Sequence, residues 1–141
     1  IIYDSGNDIA VRTAFTGFFN WNEDAGSFDD RSDDKGAEPE AITVGEIDGK
    51  TYAFVGLERQ GGIMMYDITG IIKPKFVGYF NGRNFFGDGT KMTGGDISPE
   101  SLVFIPEDKT PPAYKALKNG PLLIGAYELS GSTAVYQISN N

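Results

Sequence analysis

The stretch TYAFVGLERQGGIMMYDI, residues 51–68, decides the fold, because it returns as PLLIGAYELSGSTAVYQI at residues 121–138. The two align at a constant offset of 70 without a gap: Glu58 meets Glu128, Gly61 meets Gly131, Tyr66 meets Tyr136 and Ile68 meets Ile138. Each copy holds two runs of aliphatic, β-branched or aromatic residues around a glycine-containing turn, the pattern of a β-hairpin. YAFVGL, residues 52–57, is apolar at both alternating sets of positions and reads as a central strand covered on both faces.

Upstream of each copy stands a Pro-Glu strand opening, EPEAITV at 38–44 and SPESLVF at 98–104, this time at an offset of 60. The second copy therefore has ten extra residues (70 − 60) between its first two strands, within DKTPPAYKALKNG, residues 108–120. An insertion of that kind in a surface loop costs little. Downstream of the first copy lies a further strand in PKFVGYF, residues 74–80. The pattern predicts strands near 40–46, 51–58, 62–68 and 75–80, then near 100–105, 121–128 and 133–138.

A four-stranded antiparallel meander that recurs in tandem is the signature of a β-propeller blade. The expected fold is all-β, with four-stranded antiparallel meanders forming part of a β-propeller. Residues 1–141 are read as one partial propeller domain: an outer strand (IIYD, 1–4) and acidic loop in 1–39, one full blade in 40–80, and the next blade, incomplete, in 98–138. So few blades cannot cover their own faces. The expected partner is the remainder of a parent propeller or another copy, with a self-contained β-sandwich as the alternative. The opening Ile1-Ile2-Tyr3-Asp4, without methionine, suggests a processed product or a fragment.

A formal charge of −8 and a pI near 4.4 disfavour nucleic acid and anionic lipid, which are held through Lys and Arg, and favour cations or cationic surfaces. With no cysteine and no histidine there is no disulfide, no thiolate or imidazole metal site and no Ser-His nucleophile pair. No apolar run approaches the roughly 18 residues that a membrane-crossing helix needs.

Antiparallel geometry places the start of the first strand of a meander beside the end of the second, so Glu40 and Glu58 should share one rim. By the repeat, Glu100 and Glu128 should share the same rim one unit further on. These carboxylates either cap backbone N–H groups and pair with arginine, or form a cation site or acidic catalytic mouth. Ahead of them runs NEDAGSFDDRSDDKGAEPE, residues 22–40, with eight acidic and two basic residues. Asp30, Ser32 and Asp34 have the spacing of an EF-hand loop, but Lys35 and Ala41 stand where that loop wants glycine and glutamate, which excludes it. An irregular calcium site remains open, with Asp30, Asp33, Asp34, Glu38, Glu40, Glu58, Glu100 and Glu128 as candidate ligands, against the plain reading of a solvated acidic loop. Arg31, Lys35 and Arg59 are candidates to hold phosphate or to neutralise the carboxylates. The aromatic group Phe15, Phe18, Phe19, Trp21 and Phe28 reads as packing surface.

FDDRSDDKGAEPEAITVGEIDGKTYAFVGLERQGGIMMYDI, SPESLVFIPEDK and PLLIGAYELSGSTAVYQI together resemble the choice-of-anchor I family. The family includes secreted bacterial proteins labelled alkaline phosphatase or esterase-like phytase and looks related to animal cell-surface glycoproteins. The resemblance implies a longer propeller-like parent and an extracellular, cell-surface or periplasmic location. It leaves two functions open: a surface or matrix module that binds calcium, and a metal-dependent phosphoester hydrolase.

Overall fold

The computed structural model describes residues 1–70, 72–115 and 120–139. Among these residues seven strands form two antiparallel sheets: β1 (Pro39–Ile47), β2 (Lys50–Leu57), β3 (Ile63–Asp67) and β4 (Lys75–Phe80) in the first, and β5 (Pro99–Ile105), β6 (Leu122–Tyr127) and β7 (Ser132–Gln137) in the second. Neighbours in each sheet are neighbours in sequence, as a meander requires. The β1–β2 turn is closed by Asp48 and Gly49 with φ of 51° and 72°, the paired left-handed residues of a tight hairpin whose twist suits its strands.

The sequence repeat is a repeat of backbone. Ile42 pairs with Val55 and Val44 with Ala53; in the second sheet their counterparts Leu102 and Phe104 pair with Gly125 and Leu123. Both first strands shift register just after their proline. The residues before those prolines, Glu38 and Ser98, are both left-handed, with φ of 51° and 62°. Both strand ends are then tied alike: the Glu58 N–H donates to the Glu38 carbonyl and the Glu128 N–H to the Ser98 carbonyl, each at 2.8 Å.

The sheets stack through Ala41, Phe54 and Ile63 on one side and Leu102 and Leu123 on the other. Phe104 stacks on Phe54 at 5.7 Å between centroids, and Phe80 meets Tyr136 edge-on at 5.2 Å. Gly45 permits the close approach, since a Cβ there would lie 2.4 Å from the Phe104 ring.

The first sheet is partly covered on its second face too, by a feature the strand pattern did not predict. Helix α1 (Asp8–Ala14) places Ile9 against the cluster of Ala37, Leu57, Met64 and Tyr66. Asp8 accepts a hydrogen bond from the Tyr66 hydroxyl at 2.9 Å, and the Arg12 guanidinium lies 3.8 Å above the Phe76 ring. Residues 1–4, expected as an outer strand, form no strand here and lie exposed. The described residues form two stacked sheets and do not close into a ring. Of the five aromatics read as packing surface, Trp21 is buried and Phe18 stacks on the buried Phe85 at 4.0 Å, whereas Phe15 and Phe28 are exposed. The insertion between β5 and β6 contains the short helix α2 (Pro112–Lys115), and its base is drawn together by the Thr110 hydroxyl, 3.3 Å from the Pro106 carbonyl and 3.4 Å from that of Gly120. Among the described residues no helix is long and apolar enough to cross a membrane.

Candidate functional site: a carboxylate rim between the sheets

The Pro-Glu openings of β1 and β5 and the glutamates just after β2 and β6 lie at the same end of their sheets, as the antiparallel pairing demands. One carboxylate oxygen from each of Glu38, Glu40 and Glu58 lies within 4.8 Å of the others, and the same holds for Glu58, Glu100 and Glu128. Glu58 belongs to both groups, so five carboxylates from two sheets meet around one side chain. Glu58 is also the one of them that is buried, with 5% of its surface exposed.

Burial, then the hydrogen bond shared with Glu40, pushes the Glu58 carboxyl up to about 8, although Arg59 opposes the shift. The Glu100 carboxyl is raised as well, first by its hydrogen bond with Glu128. Glu38 goes the other way: burial raises it, but hydrogen bonds from Lys35 and Arg59 outweigh that and hold it below the ordinary carboxylate range.

Arg59 is the counter-charge of the rim. Its Nε donates to Glu38 at 2.7 Å, one terminal nitrogen lies 3.2 Å from Glu58, and the other donates to Glu23. Lys35 donates to Glu38 at 2.5 Å. The Ser98 hydroxyl, the counterpart of Glu38 in the repeat, reaches Glu23 at 3.2 Å. Five clustered carboxylates are thus answered at close range by one guanidinium and one ammonium.

The other candidates divide. Asp30 accepts from the Asn22 side chain at 3.1 Å, Asp34 pairs with Arg31 at 3.0 Å, and Asp33 is exposed. None of these three aspartates joins either carboxylate group among the described residues. Of the three basic candidates, only Lys35 and Arg59 touch rim carboxylates, and they do so as ion pairs.

Three supporting residues escaped the sequence reading. Glu23 sits in an acidic run that gives no sign of its reach to Arg59. Gln60 is fully buried, accepting from the Trp21 N–H at 3.3 Å and donating to the Phe18 carbonyl. The repeat offered a hint here, because its counterpart Ser130 likewise accepts a backbone N–H, that of Ile97, at 3.2 Å. Arg83 is buried and donates to the carbonyls of Arg59, at 2.7 Å, and Asn22; desolvation lowers it to about 10. It fastens the N-terminal segment to the β2–β3 turn that carries Glu58 and Arg59. A cavity of about 620 Å³ opens between the outer strands of the two sheets, but its lining, which includes Phe54, Phe80, Leu123 and Tyr136, contains no Asp, Glu, Lys or Arg.

The family model of the choice-of-anchor I domain matches residues 1–71, half of the 141-residue chain. No curated protein and no solved structure matches it.

Proposed function

Since this chain belongs to the choice-of-anchor I family, we propose that it is a β-module of a secreted or surface-anchored protein whose carboxylate rim binds calcium or a similar hard divalent cation. The observation behind this reading is the meeting of Glu38, Glu40, Glu58, Glu100 and Glu128 around a buried, proton-holding carboxyl. Hard cations take six to eight oxygen ligands from carboxylates and carbonyls in adaptable geometry. A cation at the rim would displace the Glu58 proton and relieve the repulsion among its neighbours. The two sheets are read as consecutive blades of a β-propeller in a longer parent, and the rim as a seam between blades offered to a surface or matrix partner.

Calcium titration with calorimetry and thermal unfolding tests the cation. The expected result is a raised Tm, proton release on binding near neutral pH, affinity that climbs as pH rises toward about 8, and loss of all three in Glu58→Gln. No change in Tm and no heat at saturating calcium sinks the proposal.

A phosphoester hydrolase is the second reading, favoured by Lys35 and Arg59 standing beside the same carboxylates. It needs those two groups, with Arg31, to exchange carboxylate for phosphate partners around a bound metal. Chelator-sensitive phosphatase turnover that disappears in Glu40→Gln is its signature.

A further inference from the structure

The acidic rim has an opposite pole. At the far ends of the same strands a cavity of about 240 Å³ is lined by Lys50, Asp67, Thr69, Gly70, Lys73 and Lys75. Lys50 opens β2 and Lys75 opens β4, while Asp67 closes β3 between them and is the cross-strand partner of Lys75. Lys73 comes from the β3–β4 turn, where its N–H donates to the Gly70 carbonyl at 2.9 Å. The cavity is therefore built from turns and strand ends within residues 50–75, and its lining does not depend on what stacks against either face of the first sheet.

The charges around it do not cancel. In a chain with 20 acidic and 12 basic residues, Lys35, Lys91 and Lys109 each find a carboxylate, on Glu38, Asp88 and Asp108. Asp67 is the one acid of this lining, and it forms no ion pair with the lysines around it. It accepts the Thr69 N–H instead, at 2.9 Å, and the Thr69 hydroxyl oxygen accepts that of Thr51, also at 2.9 Å. Nor do Lys73 and Lys75 pair with any other acid among the described residues. Three ammoniums against one carboxylate give the lining a charge of +2. The rim is too distant to offset it: the eight residues of β2 hold the two ends about 23 Å apart at roughly 3.3 Å per residue, against a Debye length of about 8 Å at physiological ionic strength.

We propose that this cavity binds a phosphate group, as free phosphate or on a small phosphomonoester. Such a group carries close to two negative charges at neutral pH and presents three acceptor oxygens, which matches the charge of the lining and its three ammoniums. Lysine binds phosphate as a point charge and needs no planar, two-pronged geometry. The volume lies below the roughly 300 Å³ at which pockets for drug-sized molecules begin, so a small ligand fits it best. The site stands at the other end of the sheet from the rim and is independent of both readings given to the rim.

The test titrates the full chain, stripped of divalent cations on a chelating resin, with sodium phosphate and separately with glycerol phosphate. Ionic strength is held fixed at about pH 8, where the phosphate is chiefly dianionic, and amide chemical shifts locate the ligand. Saturable shifts centred on Lys50, Thr69, Gly70 and Lys75 are expected. Lys50→Gln and Lys75→Gln should each weaken binding about tenfold, through loss of one charge-assisted contact. Both side chains are exposed, so circular dichroism of the two variants should match that of the unsubstituted chain. Asp67→Asn keeps an oxygen for the Thr69 N–H but removes the charge, and should tighten binding about threefold. Lys91→Gln, in the connection between the sheets, should change nothing. Binding of both ligands supports a phosphomonoester, and binding of phosphate alone supports the free anion. Shifts confined to Lys35 and Arg59 would place the anion at the rim. Equal competition by acetate, or a response no larger than that to sodium chloride, would reduce the lysines to a solvated strand edge. Any of these last three results overturns the proposal.

Discussion

The two sheets share a backbone plan and differ at its rim. Glu58 and Glu128 are tied by the same 2.8 Å bond from their own N–H to the residue before a proline. Yet Glu58 is buried and Glu128 exposed. The residues that differ lie next door. After Glu58 comes Arg59, which gathers Glu23, Glu38 and Glu58; after Glu128 comes Leu129, placed so that it would crowd a Cβ at Gly89 in the connection between the sheets. Before the first proline stands a charged Glu38, before the second a small, buried Ser98. The repeat thus dictates where a carboxylate begins, and the segments packed over each sheet dictate its charge.

Substitutions at matched positions sharpen that contrast. The largest gap should separate Phe104→Ala from Val44→Ala. Removing the ring that fills the space between Gly45 and Phe54 should cost about 3 kcal/mol, whereas trimming the exposed counterpart should stay within about 0.5 kcal/mol; urea unfolding reads both. Equal losses would mean that the two faces are not distinguished by packing.

Next comes Glu58→Gln against Glu128→Gln. The folded state keeps the Glu58 proton from its ordinary 4.5 up to about 8, so between those values it binds more protons than the unfolded chain. Stability therefore falls as pH rises across that window. Glu38 acts in the opposite sense: its contribution is present above the ordinary value and is lost as pH falls through its lowered folded value. At pH 8, without added metal, Glu58→Gln should raise stability by about 1 to 2 kcal/mol and flatten the decline between pH 6 and pH 8. The exposed Glu128→Gln should leave both as they were. The smallest effect belongs to Ser98→Ala, which removes the hydroxyl contact to Glu23 and should cost about 0.5 to 1 kcal/mol in the same unfolding assay.

Much of this was legible in the chain itself. The seven strands of the described residues fall within a residue or two of their predicted positions, because apolar runs bounded by glycine turns are local signals and the repeat supplied every strand but β4 twice. The shared rim of Glu40, Glu58, Glu100 and Glu128 followed from antiparallel geometry and the repeat together. What stayed hidden was tertiary. Helix α1, DIAVRTA, is seven residues long and owes its place to Tyr66 and Phe76 rather than to a long amphipathic pattern. Glu38 looked like one more member of the acidic run until Arg59, 21 positions away, was seen to hold it. Asp30, Asp33 and Asp34 shared the composition of a calcium loop but face their own local partners or solvent, and composition does not encode direction.

The β5–β6 connection has a use of its own. The β1–β2 pairing is closed by two residues, from Ile47 to Lys50, and the equivalent pairing in the second sheet by residues 106–121, from Ile105 to Leu122. The pairs from Pro39–Leu57 to Gly45–Tyr52 recur as Pro99–Tyr127 to Ile105–Leu122, and only the last two pairs of the first ladder have no counterpart, so the shared register is indifferent to what spans this gap, and each doubling of loop length costs only about 0.6 kcal/mol. For a protein engineer this is a port: a place to splice in an epitope, a fluorophore tag or a protease site, or to trim the excursion back to an Asp-Gly hairpin, while the rim of glutamates at the other end of the strands keeps its geometry.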